Sequence, residues 1–121
     1  MRILIADDND RVRDGIRAIL SNEDDFEVCG EAVDGAQALD KTRELSPDLV
    51  LLDIHMPNSD GFAVARQIRL DFPKVKVLIM SQSDADMMLS SALHSGAAGC
   101  IDKTSLAAEL TSKVRELLKS H

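Results

Sequence analysis

Asp7, Asp8, Asp53, Ser81 and Lys103 are the residues of this chain whose types could do chemistry together. Each lies where a short apolar run ends: Ile3-Leu4-Ile5-Ala6, Leu49-Val50-Leu51-Leu52, Val77-Leu78-Ile79-Met80 and the brief Gly99-Cys100-Ile101-Asp102. If those runs are strands of one parallel sheet, their ends open on one edge. Two adjacent acids, a lone acid, a hydroxyl and an ammonium then meet in one small pocket. At ~5 Å and an effective dielectric of about 20, two carboxylates repel by roughly 3 kcal/mol. Three clustered acids therefore need a cation. Hard oxygen ligands with open positions suit Mg2+, and the main-chain carbonyl of His55 could complete the protein's share. Such a metal leaves a place for a phosphoryl group. Asp53 is then the nucleophile for an aspartyl phosphate, with Lys103 balancing charge and Ser81 donating a hydrogen bond.

The rest of the chain reads as the scaffold for those ends. The runs at 3–6, 49–52 and 77–80 are continuously apolar, as expected for strands buried on both faces. Phe26-Glu27-Val28-Cys29 alternates and suits an edge strand, and Gly99-Cys100-Ile101-Asp102 is a short fifth strand. Strand starts recur about every 25 residues, the length of one strand-plus-helix unit. Five helices are predicted between them. The first, about Asp10 to Ser21, has Val12, Ile16, Ile19 and Leu20 on one face and Asn9 as its N-cap. The second begins after Asp34-Gly35 and ends before Ser46-Pro47. The third runs from about Gly61 to Asp71 with Phe62, Ala65, Ile68 and Leu70 apolar. The fourth, about Asp84 to Ser95, stops at Gly96. The fifth presents Leu106, Leu110, Val114, Leu117 and Leu118. Five alternating units predict an α/β fold, a doubly wound five-stranded parallel sheet of flavodoxin-like order 2-1-3-4-5. The winding reverses between strands one and three, which end at Asp7-Asp8 and Asp53.

Bulk properties narrow the function classes. A chain of 121 residues is read as one domain over 1–121. Without Trp or Tyr and with three Phe, the core must be aliphatic. A formal net charge of −7 argues against nucleic-acid binding by this domain. No apolar run approaches the ~20 residues of a membrane span, so a cytoplasmic location is expected. Cys29 and Cys100 would sit on opposite sheet edges, roughly 19 Å apart. That is far beyond the ~7 Å reach of a disulfide, so both should be free thiols.

Taken together, these residues resemble a response-regulator receiver domain of bacterial two-component systems, over essentially the whole chain. The motifs are Ile5-Ala6-Asp7-Asp8-Asn9, the segment from Leu52-Asp53-Ile54-His55-Met56-Pro57 to Asp60-Gly61, Ser81 and Lys103. Gly30-Glu31-Ala32, Asp34-Gly35 and Ser81 are similar to receivers that precede LuxR-type helix-turn-helix domains. The resemblance implies transfer from a sensor kinase phosphohistidine to Asp53 with Mg2+ bound. It implies a two-state change at helix four, strand five and helix five, a surface for homodimerisation or effector contact. Met87, Met88 and Leu89 on helix four belong to that surface or to the core. The implied output is transcription control through a DNA-binding domain beyond this chain.

The chain departs from the family pattern at several places. Cys100 stands where an aromatic usually lies three residues before the lysine, Thr104 where many members have proline, and Gln82 where a small residue is common. Cys100 reads as a small packing residue rather than a redox sensor. His55 lies where side chains can overhang the phosphoryl group or simply pack in the loop. His94 reads as a helix-terminus residue favoured by the dipole, and His121 as an end residue.

Other function classes fit less well. A flavin binder on this fold needs a Ser/Thr/Gly-rich loop after strand one, and Asp7-Asp8-Asn9-Asp10 would repel the phosphate. A haloacid-dehalogenase-like phosphatase wants a second acid where His55 stands. A stand-alone or phosphorylation-independent receiver acting by protein binding is the alternative, and Cys100 and Gln82 keep it open.

Overall fold

The computed structural model describes residues 1–82 and 85–119, with residues 85–88 by backbone alone. In chain order the elements are β1 (Arg2–Ala6), α1 (Asp10–Leu20), β2 (Glu27–Ala32), α2 (Gly35–Leu45) and β3 (Leu49–Asp53). A two-residue hairpin, His55–Met56 against Ser59–Asp60, leads into α3 (Gly61–Asp71). Then come β4 (Lys76–Ser81), α4 (Ala85–His94), β5 (Gly99–Asp102), a 3-10 turn (Lys103–Ser105) and α5 (Leu106–Lys119). The five strands pair in parallel in the order β2-β1-β3-β4-β5. This is the doubly wound sheet expected from the alternation of strands and helices.

Period-two alternation divides each strand between two cores. Leu4, Ala6, Val50, Leu52, Val77, Ile79 and Cys100 pack beneath α2, α3 and α4, which contribute Ala38, Ala65, Ile68 and Ala92. Ile3, Ile5, Leu49, Leu51, Leu78, Met80 and Ile101 pack against Ile16 and Leu20 of α1 and Leu110, Val114 and Leu117 of α5. Burying each large aliphatic side chain contributes about 1.5–3 kcal/mol. In the register, Ala6 lies beside both Ala32 and Leu52, Asp53 beside Met80, and Ser81 beside Asp102. The strand ends are therefore level along one edge.

Short polar side chains start the helices at that edge. Asn9 Oδ1 accepts from the N–H groups of Arg11 (2.9 Å) and Val12 (3.2 Å). Asp34 caps α2 and Asp60 caps α3 in the same way. At the other end of α2, Ser46 takes a left-handed conformation at φ 47° ahead of Pro47. Gly96 closes α4 at φ 96°, where a side chain would be strained.

Three expectations need correction or restriction. Leu70 is 70% exposed rather than part of the apolar face of α3. The buried stripe runs through Gly61, Val64, Ala65 and Ile68, and a residue two positions past Ile68 points about 200° away. The edge strand is Glu27–Ala32, later than the alternating run at 26–29. A register shift opposite Ile3 and Leu4 lets it continue through Gly30, and Phe26 packs in the core just before it. The expectations for Met87 and Met88 side chains, Asp84 and His121 fall outside the described residues. Among those described, no helix is long and apolar enough to cross a membrane.

Glycine placement gives a direct test of the packing. A Cβ on Gly61 would lie 2.6 Å from the Ile54 Cα, against backbone that carries the residue after Asp53. A Cβ on Gly15, exposed in α1, meets nothing within 4 Å. Gly61→Ala is expected to cost about 1–3 kcal/mol in urea denaturation. Gly15→Ala should instead stabilise by roughly 0.5–1 kcal/mol.

Candidate functional site

Asp7 follows β1 directly and continues its ladder, donating its N–H to the Ala32 carbonyl at 3.0 Å. Its Oδ1 accepts from the Asn9 N–H at 2.9 Å, and its carbonyl accepts from Arg13 Nη1 at 2.6 Å. The side chain is fully buried. Oδ2 has no directed hydrogen bond, although Lys103 Nζ lies 2.8 Å away. That contact is a short ion pair between a buried carboxylate and the ammonium.

Asp53 ends the central strand β3 and is also buried. Its Oδ1 accepts from the His55 N–H at 3.0 Å and its Oδ2 lies 3.1 Å from Lys103 Nζ. Asp8 is exposed beside them. One oxygen from each of Asp7, Asp8 and Asp53 can be chosen so that all lie within 4.8 Å of one another. Lys103 enters from the 3-10 turn after β5. Asp102 caps that turn, accepting from the Thr104 N–H at 2.9 Å and its hydroxyl at 2.8 Å.

Burial raises the Asp53 pKa above the usual carboxylate value, and the charge of Asp7 adds to the rise. The His55 N–H and Lys103 oppose it. For Lys103, burial lowers the pKa, but the bonds and charges of Asp7 and Asp53 outweigh it and the net shift is upward. The ammonium is thus held charged by the two acids it joins. Three carboxylates against one ammonium still leave a surplus of negative charge. Clustered hard oxygens, two of the acids buried and Asp7 Oδ2 with Lys103 as its one partner among the described residues, fit a hard divalent cation.

Ser81 is buried at the end of β4, and its Oγ lies 3.9 Å from the sulfur of Cys100, a donor to it. Asp7, Asp53 and Lys103 continue the strand alternation that faces α1 and α5, whereas Ser81 continues the one facing α4. Cys100 is a buried packing residue whose thiol pKa burial raises, and both cysteines are free. The His55 side chain is exposed, its main chain tied to Asp53. Gln82 is exposed next to Ser81. The structure thus brings together Asp7, Asp8, Asp53 and Lys103 and sets Ser81 at the end of the neighbouring strand.

Sequence reasoning missed Arg13. It is 9% exposed and contacts the Asp7 carbonyl directly. The signal was present as a cation on the buried stripe of α1, in helical register with Ile16 and Leu20.

A family model described as the response regulator receiver domain matches residues 3–115. The response regulator protein VraR of Staphylococcus aureus is 38% identical over 116 residues, covering 96% of this chain and 56% of that protein. The chain thus spans about half the length of the curated relatives it matches. Among solved structures, the signal receiver domain of a NarL response regulator from Mycobacterium tuberculosis is similar at 36% identity with a TM-score of 0.91. That match covers 99% of this chain and 97% of the other. A LuxR-family two-component response regulator from Aurantimonas is 30% identical, TM-score 0.91, covering 98% of this chain and 84% of the other.

The raised Asp53 pKa has a consequence for stability. A carboxyl whose folded pKa exceeds its unfolded value of about 3.9 stabilises the fold below that value and loses this contribution as pH rises. Asp53→Asn removes the buried charge. In chelator, it is expected to be more stable than wild type at pH 7 by urea denaturation. The gap should narrow as pH falls through the folded pKa of Asp53 and this contribution should vanish below about pH 4.

Proposed function

The chain belongs to the response regulator receiver domain family, and on that premise we propose that it is a phosphorylation-dependent signalling switch with Asp53 as phosphoacceptor. The carrying observation is Asp53 itself: a buried carboxylate ending the central strand, bonded by the His55 N–H and paired with Lys103. A buried acid with a raised pKa is a more basic, stronger nucleophile, and the paired ammonium opposes that rise by favouring the ionised form.

The donor in this reading is the phosphohistidine of a sensor histidine kinase. An Asp53 oxygen bonds to phosphorus as the bond from phosphorus to the imidazole nitrogen breaks, and the imidazole leaves with the electron pair. Asp7, Asp8, the Asp53 carboxylate and the His55 carbonyl would hold Mg2+, which supplies charge neutralisation at the phosphoryl oxygens. Lys103 would share that task, and Ser81 would donate its hydroxyl. Asp8, on the exposed side, leaves the site open to the donor. The domain assists its own phosphorylation and dephosphorylation by positioning rather than acting as a separate enzyme.

The output follows from where Ser81 sits. Its hydroxyl lies against Cys100 of β5, so drawing it toward a phosphoryl group alters the β4–β5 side that carries α4. Leu89 and Leu93 are 40% and 52% exposed on α4, an apolar strip for homodimerisation or effector contact through α4, β5 and α5. Residues 1–121 then act as a cytoplasmic receiver that controls transcription through a DNA-binding domain of a longer protein, with no nucleic-acid contact of its own.

Intact mass after incubation with a small phosphodonor and Mg2+ tests the assignment. Wild type should gain one phosphoryl group, while Asp53→Ala and a chelated sample should gain none. Lys103→Met should slow labelling by roughly 10²–10³-fold. Undiminished labelling of Asp53→Ala would remove the phosphoacceptor role. A folded, Mg2+-loaded wild type that never labels would favour the phosphorylation-independent receiver.

A further inference from the structure

Arg13 lies on the buried stripe of α1, where a cation is costly unless fully partnered. Its partners are unusually placed. Nη1 donates to the Asp7 carbonyl at 2.6 Å, Nε to Glu31 Oε1 at 2.8 Å, and Nη2 pairs with Asp10. Glu31 in turn accepts from Arg17 at 2.5 Å. These bonds keep the Glu31 pKa low, Arg17 contributing most once burial is overcome. The network therefore spans α1, the edge strand β2 and the loop that carries the acid pair.

Asp7 shows what the network holds. Its N–H, Oδ1 and carbonyl are each hydrogen-bonded to the scaffold, and Oδ2 meets the Lys103 ammonium at 2.8 Å. Ala32 and Asn9 fix the amide and the side chain. The carbonyl, and so the plane of the Asp7–Asp8 peptide, is held by Arg13. Asp8 is exposed, and its carboxylate has no hydrogen bond or ion pair among the described residues. Its position depends on that peptide.

We propose that Arg13 is a positioning residue for the divalent-cation site: by clamping the Asp7 carbonyl, it sets the Asp7 and Asp8 carboxylates at the separation a metal needs. The inference rests on the reading of Asp7 and Asp8 as metal ligands. Partners behind metal ligands commonly set affinity by 10–100-fold.

Charge and position make opposite predictions here. Removing a cation bonded to the Asp7 carbonyl should strengthen Mg2+ binding on Coulomb grounds alone, because the two like charges no longer repel. Losing the clamp should weaken it. Calorimetric titration of Mg2+ into wild type, Arg13→Met, Arg13→Lys and Arg17→Gln separates the two, with circular dichroism reporting the fold.

Arg13→Met should bind at least about ten-fold more weakly than wild type, and Arg13→Lys should fall between them. Arg17→Gln, at an exposed position, removes one of the two arginines that hold Glu31 and should weaken binding by a smaller factor. A folded Arg13→Met that binds Mg2+ as tightly as wild type, or more tightly, overturns the proposal. Should Arg13→Met not fold, unchanged or tighter binding by Arg17→Gln overturns it alone. Absence of Mg2+ binding by wild type would instead overturn the metal-site reading beneath it.

Discussion

Two buried carboxylates, Asp7 and Asp53, face a single ammonium, Lys103, at 2.8 and 3.1 Å. Removing either acid's charge from water is costly, and Lys103 offsets part of that cost; at Asp53 burial still outweighs it. The arrangement needs three strand ends brought level, which only the crossing of the winding between β1 and β3 and the stacking of β4 and β5 provide. Two aliphatic cores keep the strands level: one beneath α2, α3 and α4, the other beneath α1 and α5. Adding exposed Asp8 tips the balance to surplus negative charge, so the site is stable enough to form and polarised enough to attract a cation.

The two cores also divide the work. Asp7, Asp53 and Lys103 belong to the side facing α1 and α5, whose surface is tied by Arg13, Glu31 and Arg17 at one place and by Arg115 at another. Arg115 of α5 contacts Asp25 and Glu23 and lies 4.6 Å over the Phe26 ring. Ser81 belongs to the other side and touches Cys100. Under the proposed function, a change at Asp53 would be read on the α4 side through that hydroxyl and thiol. That pairing replaces a large aromatic with a small buried group, and its movement would be correspondingly small.

Much of this was legible in the sequence because its signals are local. Continuous apolar runs gave the buried strands, Asn9, Asp34 and Asp60 marked helix starts, and topology alone placed Asp7, Asp53, Ser81 and Lys103 on one edge. What was missed is tertiary. Glu27–Ala32 extends past Gly30 because a register shift and the Arg13–Glu31 pair hold it, and neither has a periodic signature. Leu70 looked apolar and is exposed, since hydrophobicity does not fix which side of α3 meets the sheet. Arg13 broke the apolar stripe, and that break was itself the signal.

The surplus charge around Lys103 is the central claim, and unfolding free energy against Mg2+ concentration tests it most directly. With no Trp or Tyr in the chain, circular dichroism is the suitable signal, at pH 7 and constant ionic strength. Above the dissociation constant, stability should rise by about 1.4 kcal/mol for each tenfold increase in free Mg2+. A stability indifferent to free Mg2+ up to about ten millimolar would contradict the account: the three acids would then be satisfied by Lys103 alone.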